Sequence, residues 1–312
     1  MSALVTTRPD AVAAPTAETR PSFAGLVRGE LFKISRQRAT WALGIVLLLI
    51  VLAPYGILIA IPNPNLKAQI AVAPLAFLYT LMGSGLLVFR VFVGTFLIIT
   101  TARLIGMEYS GGTIRVLLGR GVGRLELLGA KLLALAILAT GLLLGGLLID
   151  LVFNTLALRV IAGNFDAFQA LNSGFWQDTL ASIGTVVISM AVTILMAAAV
   201  TALTRSLAVG LAIGVGFFAA DNIGTIFFFL ASRLTNSTFW LLATGDLLGP
   251  NLNAMPAAVL PARSAATAGL PGAMPPPLTP VTGGHTLLVT AIWAAAFLAA
   301  MVLMTWKHDV TE

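Results

Sequence analysis

The chain has 312 residues, of which 58% are hydrophobic and only 10% charged, with a net charge of +6. Soluble chains carry about 25% charged residues, so the charge here is too sparse to coat a water-facing globule, and the composition points to a polytopic membrane protein. Cysteine is absent and His285 and His308 are the only histidines, which excludes a disulfide framework, a histidine-rich or thiolate metal site and a cysteine nucleophile.

In chain order, residues 1–21 are rich in Ala, Thr and Pro without an apolar face and predict a disordered tail. No cleavable signal peptide is visible, because the first apolar run starts at Trp41 and is long enough to span. In "FAGLVRGELFKISRQRATW", Phe23, Leu26, Val27, Leu31 and Ile34 recur at helical spacing, with Arg28, Lys33, Arg36 and Arg38 largely opposite. That pattern predicts an amphipathic helix in the headgroup plane; a plain basic anchor beside the membrane is the alternative.

A bilayer core of about 30 Å needs about 20 apolar residues per helix. Six stretches qualify, roughly 41–61, 83–106, 132–156, 179–203, 207–231 and 285–306, and predict an all-α fold with six transmembrane helices. The stretch 70–82 is also apolar, but Pro74 and its short length predict an outer-surface or re-entrant piece. With a cytoplasmic N-terminus, the inner segments hold Arg28, Lys33, Arg36, Arg38, Arg103, Arg115, Arg120, Arg124, Lys131, Arg205 and Lys307. The outer segments then hold only Lys67, Arg159, Arg233 and Arg263. This bias predicts that both termini are cytoplasmic. The outer segment 232–284 contains eight of the chain's 15 prolines and tends to run extended, with short interfacial helices as an option around Phe239 to Leu248. GxxxG spacings at Gly141/Gly145 and Gly210/Gly214 are read as ordinary intrachain packing, with a specific dimer face as the alternative.

Reactive chemistry is missing. No Gly-Lys pair occurs, so the chain has no P-loop, and it has neither HExxH nor a set of catalytic residues. It is not read as an enzyme. The ionisable residues within the spans are Arg90, Asp150 and Asp221, and such groups face protein interior or water. Counted along the helices, all three fall in the outer half of the membrane. The expectation is that Arg90 pairs with Asp150 or Asp221, steadying an outer closure; separate snorkelling to the headgroups is the alternative.

Between the second and third spans, "MEYSGGTIRVLLGRGVGRLELLGAK" (107–131) interrupts the apolar sequence. Gly111 and Gly112 break the descending span, Thr113 can cap a short helix carrying Arg115, and Gly119, Gly121 and Gly123 allow a turn before the chain climbs through Arg124 and Lys131. A helical knuckle beneath the membrane, open to a soluble partner, and a positive loop that only fixes topology both fit these residues.

This stretch resembles the ABC-2-type permeases, the membrane subunits of one class of ABC transporter. The matching residues are Glu108, Gly112, Thr113, Arg115, Arg124, Leu127, Leu128 and Lys131. The amphipathic leading helix with Glu30, the six spans over 22–312 and the closing "TWKHDVTE" with Asp309 agree. Gly121 stands where the family often has proline, and the link between the first two spans is short.

The resemblance implies a permease, usually an exporter, with no cofactor of its own, because ATP and Mg belong to a separate ATPase subunit. It also implies a second permease, identical or related, and a location in the plasma or inner membrane. Segment 107–131 would sit in a cleft of the ATPase, with Glu108, Gly112, Thr113, Arg115, Arg120 and Arg124 as the coupling residues. Glu108, Arg115 and Arg120 are expected to touch the ATPase, being nearest the exposed tip. An ATP-independent secondary transporter and a membrane assembly or scaffold protein with a permease-like fold remain as alternatives. Nothing in the residues selects a substrate among drugs, lipids, polysaccharides and peptides.

Overall fold

The computed structural model describes residues 22–61, 64–111, 121–260 and 274–307. These residues form helices and no strands: α1 Phe23–Arg36, α2 Arg38–Ala60, α3 Pro64–Val72, α4 Pro74–Ser110, α5 Arg124–Ala162, α6 Ser173–Thr204, α7 Leu207–Thr235, α8 Phe239–Ala243, α9 Leu248–Val259 and α10 Gly283–Lys307. Two short 3-10 turns lie at Asp166–Ala170 and Thr244–Asp246. Six helices, α2, α4, α5, α6, α7 and α10, are long and apolar enough to cross a membrane. The all-α, six-span architecture read from the sequence is the architecture observed.

The amphipathic helix α1 begins at Ser22, whose Oγ accepts the Gly25 N–H at 3.2 Å. Val27 and Ile34 are buried while Arg28 and Arg36 are exposed, so the two faces divide as their spacing requires. The chain turns into α2 at Gln37, and Trp41 Nε1 donates to the Ser35 carbonyl at 2.7 Å across the corner.

The second span differs from the expected 83–106. Residues 74–82 belong to the same helix, because Pro74 occupies the first turn of α4, where a missing N–H costs nothing. At ~1.5 Å per residue α4 is about 55 Å long, well beyond the ~30 Å core. α4 and α6 form the centre of the bundle: 56% and 67% of their apolar windows are buried, against 17% to 22% for the other spans. Val93, Leu97, Ile98, Ala197 and Ala198 pack there almost without exposure.

Glycine sets two close approaches. A Cβ on Gly210 would meet Thr201 Oγ1 at 2.9 Å and one on Gly214 would meet Ile98 at 3.1 Å, so this GxxxG pair packs α7 against α6 and α4 within the chain. Gly141 and Gly145 meet nothing within 4 Å.

The proline-rich segment also holds more structure than its composition suggests. α8 keeps Phe239 and Leu242 exposed. α9 instead enters the bundle: Leu248, Leu252 and Met255 cluster with Val192, Phe217, Trp293 and Phe297. Phe217 and Phe297 lie about 15 Å along their helices from the ends nearest α1. α9 is therefore held among the spans by its apolar face.

Candidate functional site

Four charged side chains meet at the α1 end of the bundle. Glu30 and Lys33 lie one turn apart on α1, Glu108 sits at the end of α4, and Lys131 lies in the second turn of α5. Lys33 Nζ is 2.7 Å from Glu30 Oε1 and 2.7 Å from Glu108 Oε1. Lys131 Nζ is 2.9 Å from Glu30 Oε2 and 2.7 Å from Glu108 Oε1. Each anion thus touches both cations, closing a ring. The third donor of Lys131 goes to the Leu104 carbonyl at 3.2 Å, so its hydrogen-bonding capacity is used.

The ring is unevenly buried. The side chains of Lys131 and Glu30 are 5% and 3% exposed, whereas that of Lys33 is 43% exposed. Burial alone would lower the Lys33 pKa, but hydrogen bonds and attraction from Glu108 and Glu30 outweigh it and raise the pKa above the usual lysine value. Beside the ring, Arg103 Nε donates to Gln37 Oε1 at 3.3 Å, tying the α1–α2 corner to α4.

The ring brackets residues 112–120, because α4 ends at Ser110 and α5 starts at Arg124. Gly112, Thr113, Arg115 and Arg120 lie outside the described residues. Glu108 is buried, with its carboxylate in the ring. Arg124 is half-buried, and its Nη1 donates to the Trp306 carbonyl at 3.4 Å, linking the start of α5 to the end of α10. Gly121 adopts a left-handed φ of 79°, which suits glycine at the turn into α5.

The sequence model of a family described as "ABC-2 family transporter protein" matches residues 26–221. The chain belongs to this ABC-2 family. The matched region runs from α1 through the first half of α7 and contains the whole ring. A search of curated proteins returns no match. Membership makes the chain a multi-pass permease of an ABC-type transporter, a membrane transport component.

In this ABC-2 permease the three span charges are not paired as expected. Arg90, 5% exposed, donates from Nη1 to the Leu252 carbonyl and from Nη2 to Asn253 Oδ1 at 2.8 Å, both on α9. Asp150 accepts from the Tyr55 hydroxyl on α2. Asp221 accepts the N–H of Gly249, in the first turn of α9. The correction has a physical reason: α9 meets both Arg90 and Asp221 and offers each of them backbone of the appropriate sign.

Of two further members of the polar interior, Asp178 was not singled out from the sequence and Glu30 was named only as a feature of the leading helix. Asp178 is buried and accepts from Tyr79 Oη at 2.7 Å, joining α6 to α4. It lies just outside the apolar stretch 179–203, so a search confined to the spans passes over it. Glu30 falls three residues after Val27 and four before Ile34, which places a carboxylate on the buried face of α1. That spacing was a readable signal.

Proposed function

We propose that the chain is the translocating half of an ABC exporter. In this reading it works as a dimer of identical or related permeases and takes its energy from a separate ATPase subunit that holds ATP and Mg. The α1 end is cytoplasmic and the ATPase docks there on segment 107–131, with Arg115 and Arg120 at its tip. The lipid phase is the plasma or inner membrane.

The observation that supports this reading most is the ring. Lys131, Glu108, Glu30 and Lys33 join both flanks of the 112–120 segment to the interfacial helix α1. A push on that segment would move the ends of α4 and α5 together with α1. Since α4 is a central helix of the bundle, the movement reaches the core. A loop that only fixed topology would need no such brace. Glu108 then acts as an internal strut, and the two arginines carry the contact.

The reading is tested by purifying the tagged permease with its co-expressed ATPase, then measuring complex retention and ATP hydrolysis in proteoliposomes. R115E/R120E should insert normally yet lose the complex, or lose permease-dependent hydrolysis by about tenfold or more, as opposed charges meet at a docking surface. Full retention with wild-type hydrolysis would remove the coupling role and leave the segment as a topology anchor. Transport by the permease without any ATPase would favour the secondary-transporter alternative.

A further inference from the structure

α9 carries Pro256 within its length. In an α-helix the carbonyl of residue i accepts the N–H of residue i+4, and proline has none. The carbonyl left without its helical donor is that of Leu252, and this is the carbonyl that Arg90 takes. An unbonded carbonyl at this depth is costly, because no water replaces the donor. The proline and the arginine are thus two halves of one arrangement, although they are far apart in sequence.

Other contacts hold the same helix. Asp221 of α7 accepts the Gly249 N–H at the α9 start, where a negative charge complements the helix dipole. The approach is close, since a Cβ on Gly249 would lie 2.9 Å from Asp221 Oδ2 and 3.2 Å from the Asn222 backbone nitrogen. Asn253 accepts from Arg90 and donates to Asn222 Oδ1 at 3.1 Å and to the Pro275 carbonyl at 3.2 Å. Trp293 Nε1 of α10 donates to the Asp246 carbonyl at 3.0 Å, just before α9. Among these contacts Arg90 meets only neutral acceptors, and a guanidinium held by neutral oxygens separates from them at less cost than one held by a carboxylate.

We propose that Arg90 latches α9 into the bundle by engaging the carbonyl that Pro256 leaves open, so that α9 loosens when this contact is lost. Arg90 is here a positioning residue. The proposal goes beyond the coupling reading, since it concerns α9 alone and requires neither ATP nor a partner subunit.

The chain has no cysteine, so a single reporter can be placed cleanly. Met255 of α9 is fully buried, and M255C should react slowly with an impermeant maleimide supplied on both sides of the bilayer. Adding R90M should raise the labelling rate about tenfold, the factor associated with leaving one buried carbonyl unbonded. Adding P256A to R90M should return the rate towards that of M255C alone, because alanine at that position supplies the missing N–H. P256A by itself should change labelling little, because a carbonyl accepts two hydrogen bonds and that of Leu252 can keep Arg90 beside a restored helical donor. The same proline replacement therefore matters where Arg90 is absent and little where it is present. Equal labelling of R90M with and without P256A would overturn the proposal, as would no rise in R90M. If R90M fails to insert, R90M/P256A should restore insertion, and equal failure of both variants overturns the proposal. Since labelling reads α9 without ATPase, failure here leaves the coupling test untouched.

Discussion

The ring at the α1 end and the contacts around α9 both satisfy charges in a protein with few of them, but they do so in opposite ways. In the ring, two carboxylates and two ammonium groups answer one another. Around α9, Arg90 meets a carbonyl and an amide oxygen, and Asp221 meets a backbone N–H. Place in the bundle accounts for the difference. The ring lies at the α1 end of the bundle, where three buried charges are reached from solvent only through the half-exposed Lys33, so they answer one another. α9 lies among the spans, where its own backbone ends are the groups in need of partners. The ring thus fixes three chain segments to one another, whereas the α9 contacts hold a short helix in place through groups it would otherwise leave unsatisfied.

The comparison breaks most visibly at Lys131. Replacing it by Met leaves Glu30 and Glu108 buried with only the half-exposed Lys33 between them. Removing one partner of a buried ion pair costs about 3–5 kcal/mol, and K131M should lose that much in detergent unfolding. E30Q/K131M, which keeps the Lys33–Glu108 pair and removes the stranded charge, should regain a substantial part of it. A double variant as unstable as K131M would mean that the four groups are neighbours without being energetically coupled.

At Asp221 the expected effect is smaller, and the contrast sharpens. D221A removes the acceptor for the first turn of α9 and should cost about 1 kcal/mol, as loss of a helix cap does. D221N keeps an acceptor and loses only the charge at the helix start, so it should cost about 0.3–1 kcal/mol. The readout is thermal unfolding together with labelling at M255C. A neutral side chain should therefore nearly suffice at α9, whereas neutralising one member of the ring should not. If D221N were as damaging as K131M, the distinction between charge-paired and backbone-paired regions would collapse.

Much of this was legible in the sequence, and the rest was hidden for identifiable reasons. Span number followed from run lengths, since lipid leaves a chain few other uses for about 20 apolar residues. The start of α4 is obscured by Pro74 because a proline breaks a helix interior but is harmless in the first turn. Arg90 and Asp221 stood out as charges in apolar runs, yet helical spacing says which face a residue occupies and nothing about which element comes to meet it. α9 lay hidden in a segment whose prolines suggested extended chain. Pro256 nevertheless announced that the carbonyl four residues before it would need an outside donor. Glu30 on the buried face of α1 likewise asked for a cation, and Lys131 was already visible as one; only the fold joined them.

The smallest effect belongs to Lys33, and it separates the exposed side of the ring from the buried side. Its side chain is 43% exposed, so solvent screens its two contacts and K33M should cost no more than about 1 kcal/mol. That loss should shrink as ionic strength rises, because screening acts on exposed charges first. The pH dependence has a definite sign. The Lys33 pKa is raised in the folded protein by the hydrogen bonds and attraction from Glu108 and Glu30, which outweigh burial. A cation whose pKa is raised on folding contributes its full stabilisation below the unfolded value and loses it as pH climbs through the folded one. With an ordinary lysine value near 10.4, the difference between wild type and K33M should stay constant from about pH 6 to pH 9 and disappear only above about pH 10.5. Detergent melts of both proteins across that range measure it. A difference that already fades near pH 8 would mean that Lys33 does not hold its proton between the two carboxylates, and the outer side of the ring would then be open.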